Sequence, residues 1–151
     1  MKHVIVLQGV SGSGKSTYAR KLAEKARVAR QRVAIVSADR YFERSGTYTF
    51  DPLKLSEAHG QCFRYFIEEL GLGTDLIVVD NTNTTAVEMA PYMLAASAYQ
   101  YTAEVQRVVC DPAVAAARNL HGVPATTVVR MAGSLASDVL PPWWAFSKVV
   151  V

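Results

Sequence analysis

The chain has 151 residues, half of them hydrophobic, which suits one compact domain with a full core. Its net charge of +3 and isoelectric point near 8.9 permit contact with phosphates without demanding it. Cys62 and Cys110 are isolated, and no apolar stretch is long enough for a signal peptide or a membrane span. A zinc or disulfide framework and a membrane partner are therefore excluded, and the expectation is a single cytoplasmic domain over residues 1–151.

His3-Val4-Ile5-Val6-Leu7-Gln8 reads as a buried strand. It runs directly into Gly9-Val10-Ser11-Gly12-Ser13-Gly14-Lys15-Ser16-Thr17, after which Tyr18, Ala19, Leu22, Ala23 and Ala26 recur at helical spacing. Strand, glycine-rich loop, Gly-Lys-Ser and helix together form the context of a P-loop. Glycines open backbone conformations closed to other residues, so successive N–H groups of Gly9, Ser11, Gly12, Ser13 and Gly14 can face a phosphate. The following helix adds the positive end of its dipole. In this pattern Lys15 reaches the β- and γ-phosphates of a nucleoside triphosphate, Ser16 ligates Mg²⁺, and Thr17 completes the nucleotide-binding segment.

Arg32 to Ser37 forms a second strand that ends at Ala38-Asp39. A carboxylate at the carboxyl end of a strand in an α/β sheet lies on the ligand-binding edge. Asp39 reads either as a general base beside a bound γ-phosphate or as a turn or cap residue. Arg40 to Phe50 is an aromatic and basic stretch without clear periodicity. It serves either as a packed surface loop or as a source of rings and cations for an acceptor. Asp51-Pro52 opens a helix whose stripe is Leu55, Ala58, Cys62, Phe66 and Leu70, with Gly71 and Gly73 as stops. His59 lies one residue from that stripe.

Asp75-Leu76-Ile77-Val78-Val79-Asp80 is an apolar strand ending in aspartate, the Walker B pattern. Asp80 supplies the anionic partner that Mg²⁺ needs opposite Ser16. Asn81, Thr82 and Asn83 follow on the same sheet edge, and Thr85 with Glu88 fits a capping box for a helix interrupted by Pro91. Thr102 to Cys110 is a further strand. Asp111-Pro112 starts an alanine-rich helix that leads to Arg118-Asn119, a glycine-containing loop and Pro124. A last helix there carries Val128, Met131 and Leu135 on one face. This describes a lid over about 112–124, with Arg118 either its arginine or a solvated helix end. Trp143 and Trp144 read as terminal packing, and Lys148 to Val151 as a last strand.

Asp80 is followed by Asn81, so the water-activating glutamate of a typical Walker B ATPase is missing, and no Asn-Lys-x-Asp guanine-reading element is present. What the pattern leaves is a small kinase: an α/β, three-layer P-loop sandwich with a mostly parallel central sheet and a helical lid.

Gly9 to Thr17, Ser37-Ala38-Asp39, Asn81-Thr82-Asn83, Arg118-Asn119 and Val123-Pro124 occur in the order of the motifs of the phage-type polynucleotide 5′-kinases and their cellular relatives. The chain resembles that family over residues 4 to 131. The resemblance implies transfer of the γ-phosphoryl group of ATP, or of GTP as an alternative donor, to the 5′-hydroxyl of DNA or RNA. Nucleic-acid end repair is the implied setting. It also implies Lys15 and Ser16 on donor and metal, Asp39 as base and Arg118 in the lid. Asp39, Arg40, Arg44, Asn81, Thr82 and Asn83 would face the acceptor. The family pattern has an acceptor-binding arginine three residues after the aspartate, where this chain has Phe42. No Asp-x-Asp phosphatase motif or ligase segment is present, so any repair ligase or phosphatase would lie on separate chains. Two other readings fit the same loop: a kinase for a small hydroxyl compound, and a nucleotide-binding regulator without transfer activity.

Overall fold

The computed structural model describes residues 1–43, 46–118 and 122–151. Arg44 and Asn119, and with them the middle of the expected lid, lie outside these residues.

The alternation of side chains along a strand explains the layers. In β1 (His3–Gln8), Val4 and Val6 face one side and Ile5 and Leu7 the other, and all four are buried. A strand buried on both faces must be covered by helices on both faces, which is the habit of parallel sheets. On one side, Ile5 and Leu7 meet Ala19 and Ala26 of α1 (Lys15–Val28). On the other, Val4 and Val6 pack with Phe66 of α3 (Leu55–Leu72) and Met89 of α4 (Ala86–Ala98).

The sheet is five-stranded and every observed pairing is parallel. Its order is β2 (Val33–Val36), β3 (Leu76–Asp80), β1, β4 (Thr102–Val109) and β5 (Ala145–Val150). From β1 the chain crosses to β2 in one direction, and from β3 to β4 in the other. The carboxyl ends of β1 and β3 therefore flank the point where loops diverge and leave a crevice. Leu7 pairs with Asp80, which sets the end of β3 directly beside the start of the glycine-rich loop.

Several expectations are corrected. The stretch after Asp39 is not loop throughout: Asp39–Glu43 forms a short helix, α2, that buries Tyr41 and Phe42 in the main core. The helix expected from Asp51 begins instead as a 3₁₀ turn, Pro52–Lys54, with Asp51 accepting from Leu53 N at 3.0 Å. Gly71 lies inside α3, and Gly73, in the left-handed region at φ 73°, ends it. The Thr85–Glu88 capping box does not form. Thr85 makes no side-chain cap, and the Glu88 carboxylate lies 3.5 Å from the Thr84 hydroxyl instead. The first N–H of the helix, that of Ala86, is taken at 2.6 Å by the carboxylate of Asp138 from beyond the end of α6 (Ala125–Ser137). Trp144 packs against the core, but Trp143 is 80% exposed. Among the described residues no helix is long and apolar enough to cross a membrane.

Candidate active site

Contacts leave the glycine-rich loop little choice of sequence. A Cβ on Gly12, where φ is +83°, would stand 2.0 Å from the carbonyl oxygen of Ala115 in α5 (Pro112–Ala117). A Cβ on Gly9 would stand 2.9 Å from Ser13 Oγ and 3.0 Å from Val108 O. Contrary to expectation, two loop N–H groups are not turned toward a phosphate: Gly9 N donates to Thr82 O at 3.0 Å, tying the loop to the segment after β3, and Ser13 N donates to Val10 O at 3.1 Å. Gly14, at φ 99°, turns the chain into α1.

Lys15 is the first residue of α1, is only 8% exposed, and donates from Nζ to Val10 O at 3.1 Å. It thus lies back across its own loop. Burial holds its ammonium below the ordinary lysine value, against the upward pull of Asp80 and then Asp39. Ser16 Oγ donates to Asp80 Oδ2 at 2.9 Å. A hydroxyl and a carboxylate this close are hard oxygen donors of the kind that share a Mg²⁺ ion with substrate phosphates. Ser13 Oγ is buried and has no hydrogen-bond partner among the described residues. Arg118, exposed at the end of α5, donates to Cys110 Sγ at 2.9 Å and lies 3.4 Å from Ser13 O.

Two cavities meet here. One, of about 600 Å³, follows the loop and includes Gly12, Lys15, Ser16, Thr17, Asp80 and Arg118. The other, of about 590 Å³, is walled by aromatic side chains of the segment after Asp39 and by α6. Ser11, Asp39, Asn81 and Thr82 line both.

Asp39 opens α2, where its N–H donates to Ser37 Oγ at 3.2 Å. Tyr48 OH lies 3.4 Å from Asp39 Oδ1. Burial first, and the charge of Asp39 next, push the Tyr48 hydroxyl up to about 12, so it keeps its proton beside that carboxylate. Asn81 accepts from Ala38 N at 2.9 Å, which joins the ends of β2 and β3. Behind it, the Cys62 thiol takes the Tyr92 hydroxyl at 3.3 Å and lies 3.6 Å from Asn81 Nδ2.

Not every residue grouped by sequence reaches the crevice. Asn83, in the left-handed region at φ 50°, turns its side chain into the sheet end, where Nδ2 donates to Leu7 O at 2.8 Å. Its carbonyl accepts from Gln8 Nε2 at 3.0 Å, and the residue lines neither cavity. Arg40 is exposed and lines neither. Phe42, at the position of the family's acceptor arginine, is a wall of the aromatic cavity and meets Phe50 at 5.1 Å between ring centroids. Sequence reading offered Tyr48 to an acceptor only as part of the Arg40–Phe50 stretch and assigned no site role to Thr127 or Arg130; all three line the same cavity. The available signal was the i, i+3, i+4, i+7 spacing of Thr127, Arg130, Met131 and Ser134, a second helical face beside Val128 and Leu135.

The profile of a family described as "AAA domain" matches residues 4–122. The chain belongs to this family of P-loop kinase-like domains. This AAA domain is 34% identical over 132 residues to human NEDD4-binding protein 2, an alignment that covers 85% of this chain and 7% of that protein. It is 29% identical over 120 residues to a putative bifunctional polynucleotide kinase/RNA ligase of Autographa californica nuclear polyhedrosis virus, covering 75% of this chain and 17% of the viral protein. The AAA domain thus spans a small part of either relative. Its fold matches a chain of the Pnkp1/Rnl/Hen1 RNA repair complex with a TM-score of 0.70 at 16% identity, over 89% of this chain and 44% of that one. It also matches the APS kinase CysC of Mycobacterium tuberculosis, with a TM-score of 0.66 at 16% identity, over 99% and 88%.

Proposed function

We propose that this AAA domain transfers the γ-phosphoryl group of ATP to the 5′-hydroxyl end of a DNA or RNA strand. The observation that carries the reading is the position of Asp39, on the border between a cavity at the P-loop and a second cavity of nucleotide size. A donor held in the first and an acceptor in the second would meet at that carboxylate. The viral relative's description as a polynucleotide kinase/RNA ligase, and the order of the Asp39, Asn81 and Arg118 motifs, support a strand end as the acceptor.

In this reading Lys15 and Arg118 neutralise charge on the transferring group, and the P-loop N–H groups cradle the phosphates. Ser16 and Asp80 would hold Mg²⁺, which when bound would supply neutralisation of phosphate charge. Asp39 orients the 5′-hydroxyl and accepts its proton as the new O–P bond forms and the bond from phosphorus to the β,γ-bridging oxygen breaks. The segment around 112–124 acts as the lid, with Arg118 as its arginine. GTP is the alternative donor. A ligase or phosphatase acting with it would complete an end-repair sequence.

A second reading is phosphorylation of a small hydroxyl compound. The walls that α2 and α6 set around the aromatic cavity favour it, as does the fold match to an APS kinase. The discriminating experiment uses γ-labelled ATP and Mg²⁺ with paired 5′-hydroxyl and 5′-phosphate oligonucleotides, with Asp39→Asn alongside. Label on the 5′-hydroxyl strand alone, reduced ~10²–10⁴-fold in the variant, is the expected result. Label on small hydroxyl acceptors and on no strand would establish the second reading instead. Acceptor binding that weakens steeply with salt would accompany the first.

A further inference from the structure

The aromatic cavity contains a cation that the proposed chemistry does not use. Thr127, Arg130, Met131 and Ser134 form one stripe of α6, and all four line the cavity. The neighbouring stripe, Val128 and Leu135, is buried against Val10 and Ala115. That packing fixes the rotation of the helix, so Arg130 is held toward the cavity by its neighbours. Among the described residues Arg130 is the only lysine or arginine in the lining, and no carboxylate forms an ion pair with it. Its guanidinium is exposed and presents a planar fork of donors suited to an oxyanion. Phe42 and Phe50 belong to the same lining, Phe50 with 49% of its surface open.

We propose that Arg130 is the anion-reading residue of the acceptor site, taking the phosphodiester on the 3′ side of the nucleotide whose 5′-hydroxyl is phosphorylated. The inference rests on the reading of the preceding subsection and deepens it. A strand with a free 5′-hydroxyl carries no phosphate at the reacting end. The first negative charge an acceptor brings past Asp39 is therefore the diester one sugar further on. Phe42 offers no cation for that charge. Arg130 comes from a different element, and the Phe50 ring, packed on Phe42 but half exposed, has a surface open for stacking on the terminal base.

The test compares two 5′-hydroxyl oligonucleotides that differ only at the first internucleotide linkage, one a phosphodiester and the other an uncharged methylphosphonate. Transfer of γ-label is measured with the wild-type protein and with Arg130→Gln and Arg130→Lys. The expected result is that the wild type prefers the charged linkage by about tenfold or more in kcat/KM, chiefly through KM. Arg130→Gln should collapse that ratio toward one, and Arg130→Lys should restore part of it, while the KM for ATP stays close to the wild-type value in both. Equal use of the two linkages by the wild type, or a ratio untouched by Arg130→Gln, would overturn the inference and leave the kinase reading standing. Absence of label on every strand would overturn both. A variant that loses transfer to both acceptors in equal proportion, with a lowered melting temperature, would assign Arg130 to folding and likewise overturn the proposal.

Discussion

The Ser16 hydroxyl donates to Asp80 Oδ2 at 2.9 Å, joining the second residue of α1 to the last residue of β3. The two groups are far apart in the chain and meet because β1 and β3 are neighbours in register. If both face a Mg²⁺ ion during turnover, their loss should be felt as a changed metal requirement. Asp80→Asn is expected to slow transfer by roughly 10²-fold and to shift the Mg²⁺ dependence of the rate to higher concentration. Steady-state rates across a Mg²⁺ titration check this, and an unshifted curve would detach Asp80 from the metal.

Lys15 carries a stability cost that its proposed role explains. Burial holds its pKa below 10.5, so the charged form is less favourable in the folded chain than in the unfolded one, and the cost is fully present below the folded value. The cost fades as pH rises past the folded value toward 10.5. Lys15→Met should therefore melt at the same temperature as the wild type or higher in the absence of nucleotide. It should lose the stabilisation that ATP gives the wild type, about 2.7 kcal/mol at a hundredfold excess over Kd. Thermal denaturation with and without ATP reads both halves of the prediction.

Gly12 makes a different demand. A methyl group there would overlap the Ala115 carbonyl at 2.0 Å, in a backbone conformation at φ +83° that side chains avoid. Gly12→Ala must separate the P-loop from α5 or distort the loop. We expect a loss of roughly 1–3 kcal/mol of stability together with weakened nucleotide binding. Urea denaturation and nucleotide titration measure the two effects. Wild-type behaviour in both would mean that the loop and α5 are not held at this distance in solution.

Tyr48 makes the site sensitive to alkali. Its hydroxyl ionises near 10 in an unfolded chain and near 12 in the folded one, because burial and the Asp39 carboxylate disfavour the phenolate. The folded state therefore binds this proton more tightly. The resulting stabilisation is complete below pH 10 and is lost as pH climbs through 12. Tyr48→Phe should flatten part of the stability loss across that window and remove one late-titrating tyrosine from the ultraviolet absorbance titration. An unchanged pH profile would take Tyr48 away from Asp39.

The P-loop, the strand before it and the helix after it were legible in the sequence because all their determinants are local: glycine spacing, an apolar run and a helical stripe. Asp39 and Asp80 were visible as carboxylates at the ends of apolar runs. Asn83 was grouped with Asn81 and Thr82 by adjacency, but its left-handed backbone turns it into the sheet; asparagine tolerates that conformation better than most residues, yet its presence alone does not say that the turn occurs. The cap on α4 was misread for a related reason: Asp138 reaches Ala86 through the packing of α6, which no short motif encodes. Arg130 escaped, and Tyr48 was not singled out from the Arg40–Phe50 stretch, because their meaning comes from which wall of which cavity they share with Asp39. The fold was therefore more legible than the aromatic half of the site.

The hydrogen bonding around the two cysteines sorts them by reactivity. Cys62 is sealed beneath Asn81 and Tyr92, and its burial raises the thiol's pKa. Cys110 is partly open and lies against the Arg118 guanidinium at the mouth of the P-loop cavity. A thiol-directed dye should therefore attach at one position in the native protein without any engineered cysteine. Sitting where Arg118 meets the nucleotide loop, it would convert movement of that arginine into a fluorescence signal.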